Sequence, residues 1–174
     1  MPLDFEKLAD LVHYICSNAP GGAHLDMSVL NKMLFFSECR VYQDRGTPIT
    51  GESYFRQEGG PASAHLESVL HGLRDQERIG VTDTSAGEIE VDENRGGLRF
   101  LSLRSPDTDR FEQRELELVG EVVERIGSRD AEGVLGSLFE AIALGCVDMG
   151  EELPMMTVYS NLFEDMHPEE MEWW

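Results

Sequence analysis

The sequence contains very little lysine, and after Arg129 it contains neither lysine nor arginine. Lys7 and Lys32 are the only lysines among 174 residues, and 14 bases stand against 34 acids, which gives a formal net charge of -20. Because phosphate backbones are bound through lysine and arginine, this charge disfavours a nucleic-acid partner. It suits a basic protein partner, whose encounter rate it would raise. Plain solubility or adaptation to high salt would account for the total equally well.

The patterns that mark metal sites, nucleophilic enzymes and membrane helices are also missing. No histidine belongs to an HExxH motif or is spaced with a cysteine like a zinc ligand, and there is no GxSxG. The scattered cysteines Cys16, Cys39 and Cys146 are typical of reduced thiols in a cytosolic protein. No apolar run is long enough for a membrane span, and the N-terminus lacks the features of a signal peptide. We therefore expect a cytoplasmic protein with no catalytic residue, cofactor, metal ion or membrane contact. An enzyme of unrecognised type is a minor alternative.

The negative charge is concentrated near the C-terminus. The final 45 residues, 130–174, hold eleven acids and no lysine or arginine, so they carry -11 of the total with histidine neutral. Aromatic residues and methionines lie among these acids, and both are favoured at protein interfaces. We predict that this segment contacts a protein partner through Tyr159, Phe163, Glu164, Asp165, Trp173 and Trp174. The alternative, for Tyr159 to Phe163, is that they pack a last helix onto the core.

Hydrophobic periodicity predicts an α+β fold that is predominantly helical, with about five helices and a small antiparallel β-meander. Asp4 and Asp26 are candidate N-caps for the first two helices, and the second should be central because its apolar face is broad. Residues 49–55 suit an extended segment, and Pro61 suits the first turn of a helix over residues 62–78. The meander is predicted at about 79–103, with helices after residues 105–109 and at about 135–144. We divide the chain into a domain of residues 1–150 and an acidic, aromatic-containing segment of residues 151–174.

Several short motifs follow one another in the order of a known family. LNKMLFFSE at residues 30–38 resembles the LxKLLYFA helix of the Panacea domain, the SocA-like antitoxin domain. GTPITG at residues 46–51 is similar to that family's G-x-P-L-T-G segment, Tyr54 stands where the family has an aromatic, and GPA at residues 60–62 matches its GPV turn. The resemblance covers residues 5 to about 78.

The resemblance implies a helix-rich domain that serves as the antitoxin of a bacterial toxin–antitoxin pair and neutralises its toxin by direct contact. It also implies that the protein can act as an adaptor, delivering the toxin to a ClpXP-type protease. An alternative from another class is a phage or host acidic inhibitor that mimics DNA and blocks a nucleic-acid-binding protein. Such a mimic needs carboxylates spaced along one elongated face, whereas an antitoxin needs only a local patch.

The matching motifs contain residues that we expect to form a structural framework, with glycine where φ is positive and proline where the chain turns. These framework residues are Asn31, Lys32, Gly46, Pro48, Gly51, Gly60 and Pro61. For Lys32 we favour a side chain whose stem lies on the core and whose ammonium reaches water. The other interpretation pairs Lys32 with an acid such as Glu38 or with a carboxylate of the partner.

Overall fold

Four helices and two β-hairpins make up the part of the chain that the structure, a computed structural model, describes. That part comprises residues 1–20, 25–83, 98–128 and 147–155. The elements are α1 (Phe5–Asn18), α2 (Met27–Arg45), β1 (Tyr54–Gln57), β2 (Gly60–Ser63), α3 (Leu66–Asp75), β3 (Ile79–Asp83), β4 (Leu98–Ser102) and α4 (Gln113–Ser128). The α+β class is confirmed. The fifth helix predicted at about 135–144 lies outside the described residues.

The first two helices begin at the capping residues that the sequence predicts. The Asp4 carboxylate accepts a hydrogen bond from the Lys7 N–H at 3.0 Å, and Asp26 accepts one from the Val29 N–H at 2.8 Å. Each bond satisfies a backbone donor that has no partner within its own helix. α2 ends where Gly46 adopts the left-handed conformation and donates its N–H to the Tyr42 carbonyl. A glycine is favoured there because it has no Cβ to clash.

The predicted start of α3 is wrong. Pro61 does not lie in a first helical turn but in β2, opposite Arg56 of β1, and the helix begins at Leu66. The Ser63 hydroxyl accepts the Leu66 N–H at 3.0 Å and thereby caps the helix three residues after the strand ends. The extended segment predicted over 49–55 forms a strand only from Tyr54 onward.

The β-meander of residues 79–103 is confirmed as one antiparallel pair. β3 pairs with β4 so that Val81 lies opposite Phe100 and Ile79 opposite Ser102. Ile79 and Phe100 are buried, and Phe100 also donates its N–H to the Leu25 carbonyl at 3.0 Å. The middle of the predicted meander, residues 84–97, lies outside the described residues.

α2 is the central element, as its broad apolar face predicts. It packs against α4, α1 and β2, and seven consecutive buried positions run from Met33 to Cys39. The ring of Phe35 meets that of Tyr54 edge to face at 5.2 Å between centroids, which joins α2 to the first hairpin. The first hairpin is therefore held in place by the core and not only by its own strand pairing.

A buried carboxylate ties the helices together. The side chain of Glu115 on α4 is 2% exposed and lies 2.9 Å from both Lys7 Nζ of α1 and Arg45 Nη1 of α2. Because removing a buried carboxylate leaves its cations unpaired, this contact contributes to how the three helices dock.

Residues 147–155 attach to the edge of β1. The Gly150 N–H donates to the Arg56 carbonyl at 2.8 Å, the Arg56 N–H to the Glu151 carbonyl at 2.9 Å, and the Leu153 N–H to the Tyr54 carbonyl at 2.7 Å. Leu153 is buried in the core. The first residues of the acidic C-terminal segment are thus fixed beside the first hairpin.

Candidate functional site

The motif-bearing residues converge on one region, where the middle of α2 meets the loop of residues 46–53. The Glu38 carboxylate of α2 is fully buried and accepts the backbone N–H groups of Ile49, at 2.5 Å, and Thr50, at 3.1 Å. The Thr50 hydroxyl donates to the same carboxylate. Glu38 ends the LNKMLFFSE motif and Ile49 and Thr50 belong to the GTPITG motif, so this contact joins two of the segments on which the family resemblance rests.

Burial raises the pKa of Glu38 to about 7. The hydrogen bonds from Thr50 and Ile49 act in the opposite direction because they stabilise the charged form, and the loss of water outweighs them. Burial also raises the pKa of Tyr54 well above its ordinary value, and the charges of Glu38 and Glu52 raise it further. Glu38, Glu52 and Tyr54 therefore lie close together in the interior, beside the first hairpin.

The loop that carries Ile49 and Thr50 depends on a glycine. Gly51 has φ +75, and a Cβ added there would lie 2.8 Å from the Pro2 carbonyl oxygen. The Asp4 N–H donates to the Thr50 carbonyl at 2.8 Å, so the N-terminal residues run directly across this loop. Gly51 permits that close approach. The other framework residue of this loop, Pro48, is half-buried and lies just before Ile49.

Asn31 and Lys32 lie beside the second strand. Asn31 Nδ2 donates to the Met27 carbonyl at 2.9 Å, and Asn31 Oδ1 accepts the Ser63 N–H at 2.8 Å, which fixes the end of β2 to α2. Gly60 has φ +121, and a Cβ there would lie 3.3 Å from Cε of Lys32. The half-buried stem of Lys32 therefore runs along the strand. Pairing of Lys32 with Glu38 is wrong, since the Glu38 carboxylate is occupied by Ile49 and Thr50.

A carboxylate–imidazole pair next to this framework was not predicted. The side chain of Glu52 is 0% exposed, and its Oε2 lies 3.1 Å from Nδ1 of His65, whose side chain is 45% exposed. Glu52 Oε1 also accepts the His65 backbone N–H and the Ser63 hydroxyl, each at 3.1 Å. The sequence gives a weak sign of Ser63 as a cap for Leu66, but the contact of Glu52 with His65 spans thirteen residues and leaves no local pattern.

This pair is not arranged as a nucleophilic triad. Ser63 donates its hydroxyl to Glu52 and accepts the Leu66 N–H, so it serves as a helix cap and is not bonded to the imidazole. Cys16 and Cys39 are buried free thiols, and burial raises the pKa of Cys16 to about 12, which disfavours the reactive thiolate. Across the described ranges no group of three or more His, Cys, Asp or Glu is arranged to hold a metal ion.

The residues predicted to bind a partner, from Tyr159 to Trp174, lie outside the described residues, as does Cys146. Their attachment point is described, since Glu152 accepts the Ser53 hydroxyl at 2.7 Å and Leu153 is buried. In the part of the chain that is described, no helix is long and apolar enough to pass through a bilayer.

The sequence model of the family described as "Antitoxin SocA-like, Panacea domain" matches residues 30–133, which is more than half of the chain. The match begins with α2, includes both hairpins and α3, and continues through α4. No curated protein and no solved structure matches the chain. The chain belongs to the SocA-like antitoxin family that is defined by the Panacea domain.

Proposed function

We propose that this protein is the antitoxin of a bacterial toxin–antitoxin pair and that it neutralises its toxin by direct protein–protein contact, without catalysis. The observation that carries the proposal is the family match over residues 30–133. The contact of Glu38 with Ile49 and Thr50 supports it, because it makes one structural unit of the motifs that resemble the family.

The acidic C-terminal segment, residues 151–174, is the proposed determinant of partner choice. Its acids suit a basic toxin, and its aromatic residues Tyr159, Phe163, Trp173 and Trp174 supply apolar contact area. Its first residues are hydrogen-bonded to β1, so the segment starts from a fixed point on the framework. Glu164 and Asp165 complete the set of residues proposed to meet the toxin.

The charges on the described helices favour this function over mimicry of nucleic acid. Acids of α2, of α4 and of the residue before α4 are interleaved with arginines in ion pairs, among them Arg114 with Asp44 at 2.9 Å and Arg45 with Glu112 at 3.1 Å. A mimic needs a row of carboxylates that are free to replace phosphates. Pairing with arginines within the protein neutralises such a row on this face.

Growth rescue tests the proposal. The product of the adjacent gene is induced in bacteria alone, with the full chain, and with a chain ending at residue 155, which lacks most of the segment but keeps the buried Leu153. We expect growth to stop in the first case and to be restored by the full chain. The truncated chain should rescue less well if residues 151–174 choose the partner. Toxicity that the full chain does not relieve would refute the antitoxin function, whereas equal rescue by both chains would refute only the role of the segment.

Delivery to a ClpXP-type protease is the finer part of the proposal, and the half-life of the partner tests it. An adaptor shortens that half-life only when both this chain and the protease are present. A half-life that does not change when either is removed would exclude the adaptor role and leave neutralisation by binding.

A further inference from the structure

His65 is an exposed side chain that is held in one orientation by a buried one. A carboxylate only accepts hydrogen bonds, so the contact at 3.1 Å between Glu52 Oε2 and Nδ1 assigns the proton of the neutral imidazole to Nδ1. In the neutral ring the other nitrogen, Nε2, is then an acceptor. Among the described residues no group bonds Nε2, and nearly half of the side chain is open to solvent.

An exposed aromatic ring stands beside this imidazole. Phe5, in the first turn of α1, is 42% exposed, and its ring meets that of His65 edge to face at 6.3 Å between centroids. Aromatic side chains are enriched at the centres of protein interfaces.

The charges around the two rings are mainly negative. Asp4, Glu6 and Glu67 are exposed on the adjoining turns of α1 and α3, and Glu52 lies beneath His65. Two cations lie among these acids. Lys7 of α1 is paired with Glu115, and Arg110, which precedes α4, contacts Asp10 at 3.2 Å and Glu6 at 3.8 Å.

We infer that Phe5 and His65 form a docking site for an arginine side chain of the toxin. The inference rests on the proposed function. An arginine fits because its guanidinium donates hydrogen bonds that His65 Nε2 can accept, stacks on an aromatic ring such as Phe5, and is attracted by the surrounding acids. A lysine fits less well, because its ammonium is not planar and so does not stack on a ring while it donates hydrogen bonds to a neighbouring acceptor. The site is adjacent to the acidic segment, because Ser53, which follows Glu52, donates to Glu152.

The test is the equilibrium affinity of the purified full chain for the purified product of the adjacent gene. His65→Asn keeps a donor in the place of Nδ1 for Glu52 but removes the outer nitrogen, and Phe5→Ala removes the ring. Each should weaken binding roughly tenfold or more, as truncation of an interface hot spot does. The matched controls are His71→Asn, at an exposed histidine farther along α3, and Leu101→Ala, at an exposed apolar residue of β4. Both should bind within about twofold of wild type.

An affinity within about twofold of wild type for either His65→Asn or Phe5→Ala, with the fold intact by circular dichroism, would overturn the site. If the wild-type chain still binds the toxin in that case, only the docking site is rejected and the proposed function stands. If the folded wild-type chain does not bind the toxin at all, the proposed function fails, and the partner assigned to this site fails with it.

Discussion

Glu38→Gln should change how the stability of the protein depends on pH. The folded protein holds this carboxyl with a pKa of about 7, against 4.5 for the free group. Between these two values the folded state binds a proton that the unfolded state has released, so the free energy of unfolding falls as the pH rises. A shift of this size corresponds to about 3 kcal/mol, since each pKa unit is worth about 1.4 kcal/mol.

The assay is urea denaturation of both proteins at intervals from pH 5 to pH 8.5. The wild-type chain should lose roughly 2–3 kcal/mol relative to Glu38→Gln over this range, with most of the loss below pH 7.5. The variant should be less stable by an amount that does not vary with pH, because its amide donor faces the Thr50 N–H donor. Glu67→Gln, at an exposed position of α3, controls for the change in net charge. Parallel curves for wild type and Glu38→Gln, or a wild-type chain that gains relative stability as the pH rises, would refute the burial argument.

Three further predictions follow from the described contacts and charges. Glu115→Gln leaves two partly buried cations beside a neutral amide and should lower the free energy of unfolding by roughly 2–4 kcal/mol. The exposed Glu117→Gln should change it by less than about 0.5 kcal/mol. Equal effects of the two substitutions in chemical denaturation would contradict the role given to Glu115. Gly51→Ala places a Cβ 2.8 Å from the Pro2 carbonyl oxygen at a residue with positive φ, and it should lower the free energy of unfolding by roughly 1–3 kcal/mol. Gly59→Ala places its Cβ in open space and should leave the stability nearly unchanged. A thermal shift of the same size in both variants would show that the loop relaxes freely. The association rate with the toxin should fall about tenfold as salt rises from roughly 0.05 to 0.5 M, because screening weakens the attraction of an acidic chain for a basic partner; a rate that is independent of salt in surface plasmon resonance would indicate an apolar contact alone.

The parts of the fold that the sequence predicts are those set by local interactions. Asp4 and Asp26 cap helices by bonding N–H groups three residues away, and the central position of α2 follows from its apolar face. The predicted start of α3 is wrong because Pro61 is compatible with both a helical first turn and a strand. The strand is held by contacts such as that of Asn31 with Ser63, thirty-two residues apart in sequence.

The candidate site was predictable only in its components. The motifs identify Glu38 and the loop of residues 46–51 separately, but the bond from Ile49 to Glu38 requires α2 and the loop to be packed together. Glu52 and His65 belong to none of the quoted motifs, and one acid among 34 attracts no notice in the sequence. Among the described acids, Glu52 shares its burial only with Asp10, Glu38 and Glu115, and burial results from the tertiary fold.

The most direct test of the antitoxin function is the affinity between the purified full chain and the purified product of the adjacent gene, measured by titration calorimetry near physiological salt. We expect a saturable complex whose formation removes the toxic activity in the same sample. A folded chain that gives no heat of binding, or one that binds and leaves the toxic activity intact, would contradict neutralisation by direct contact.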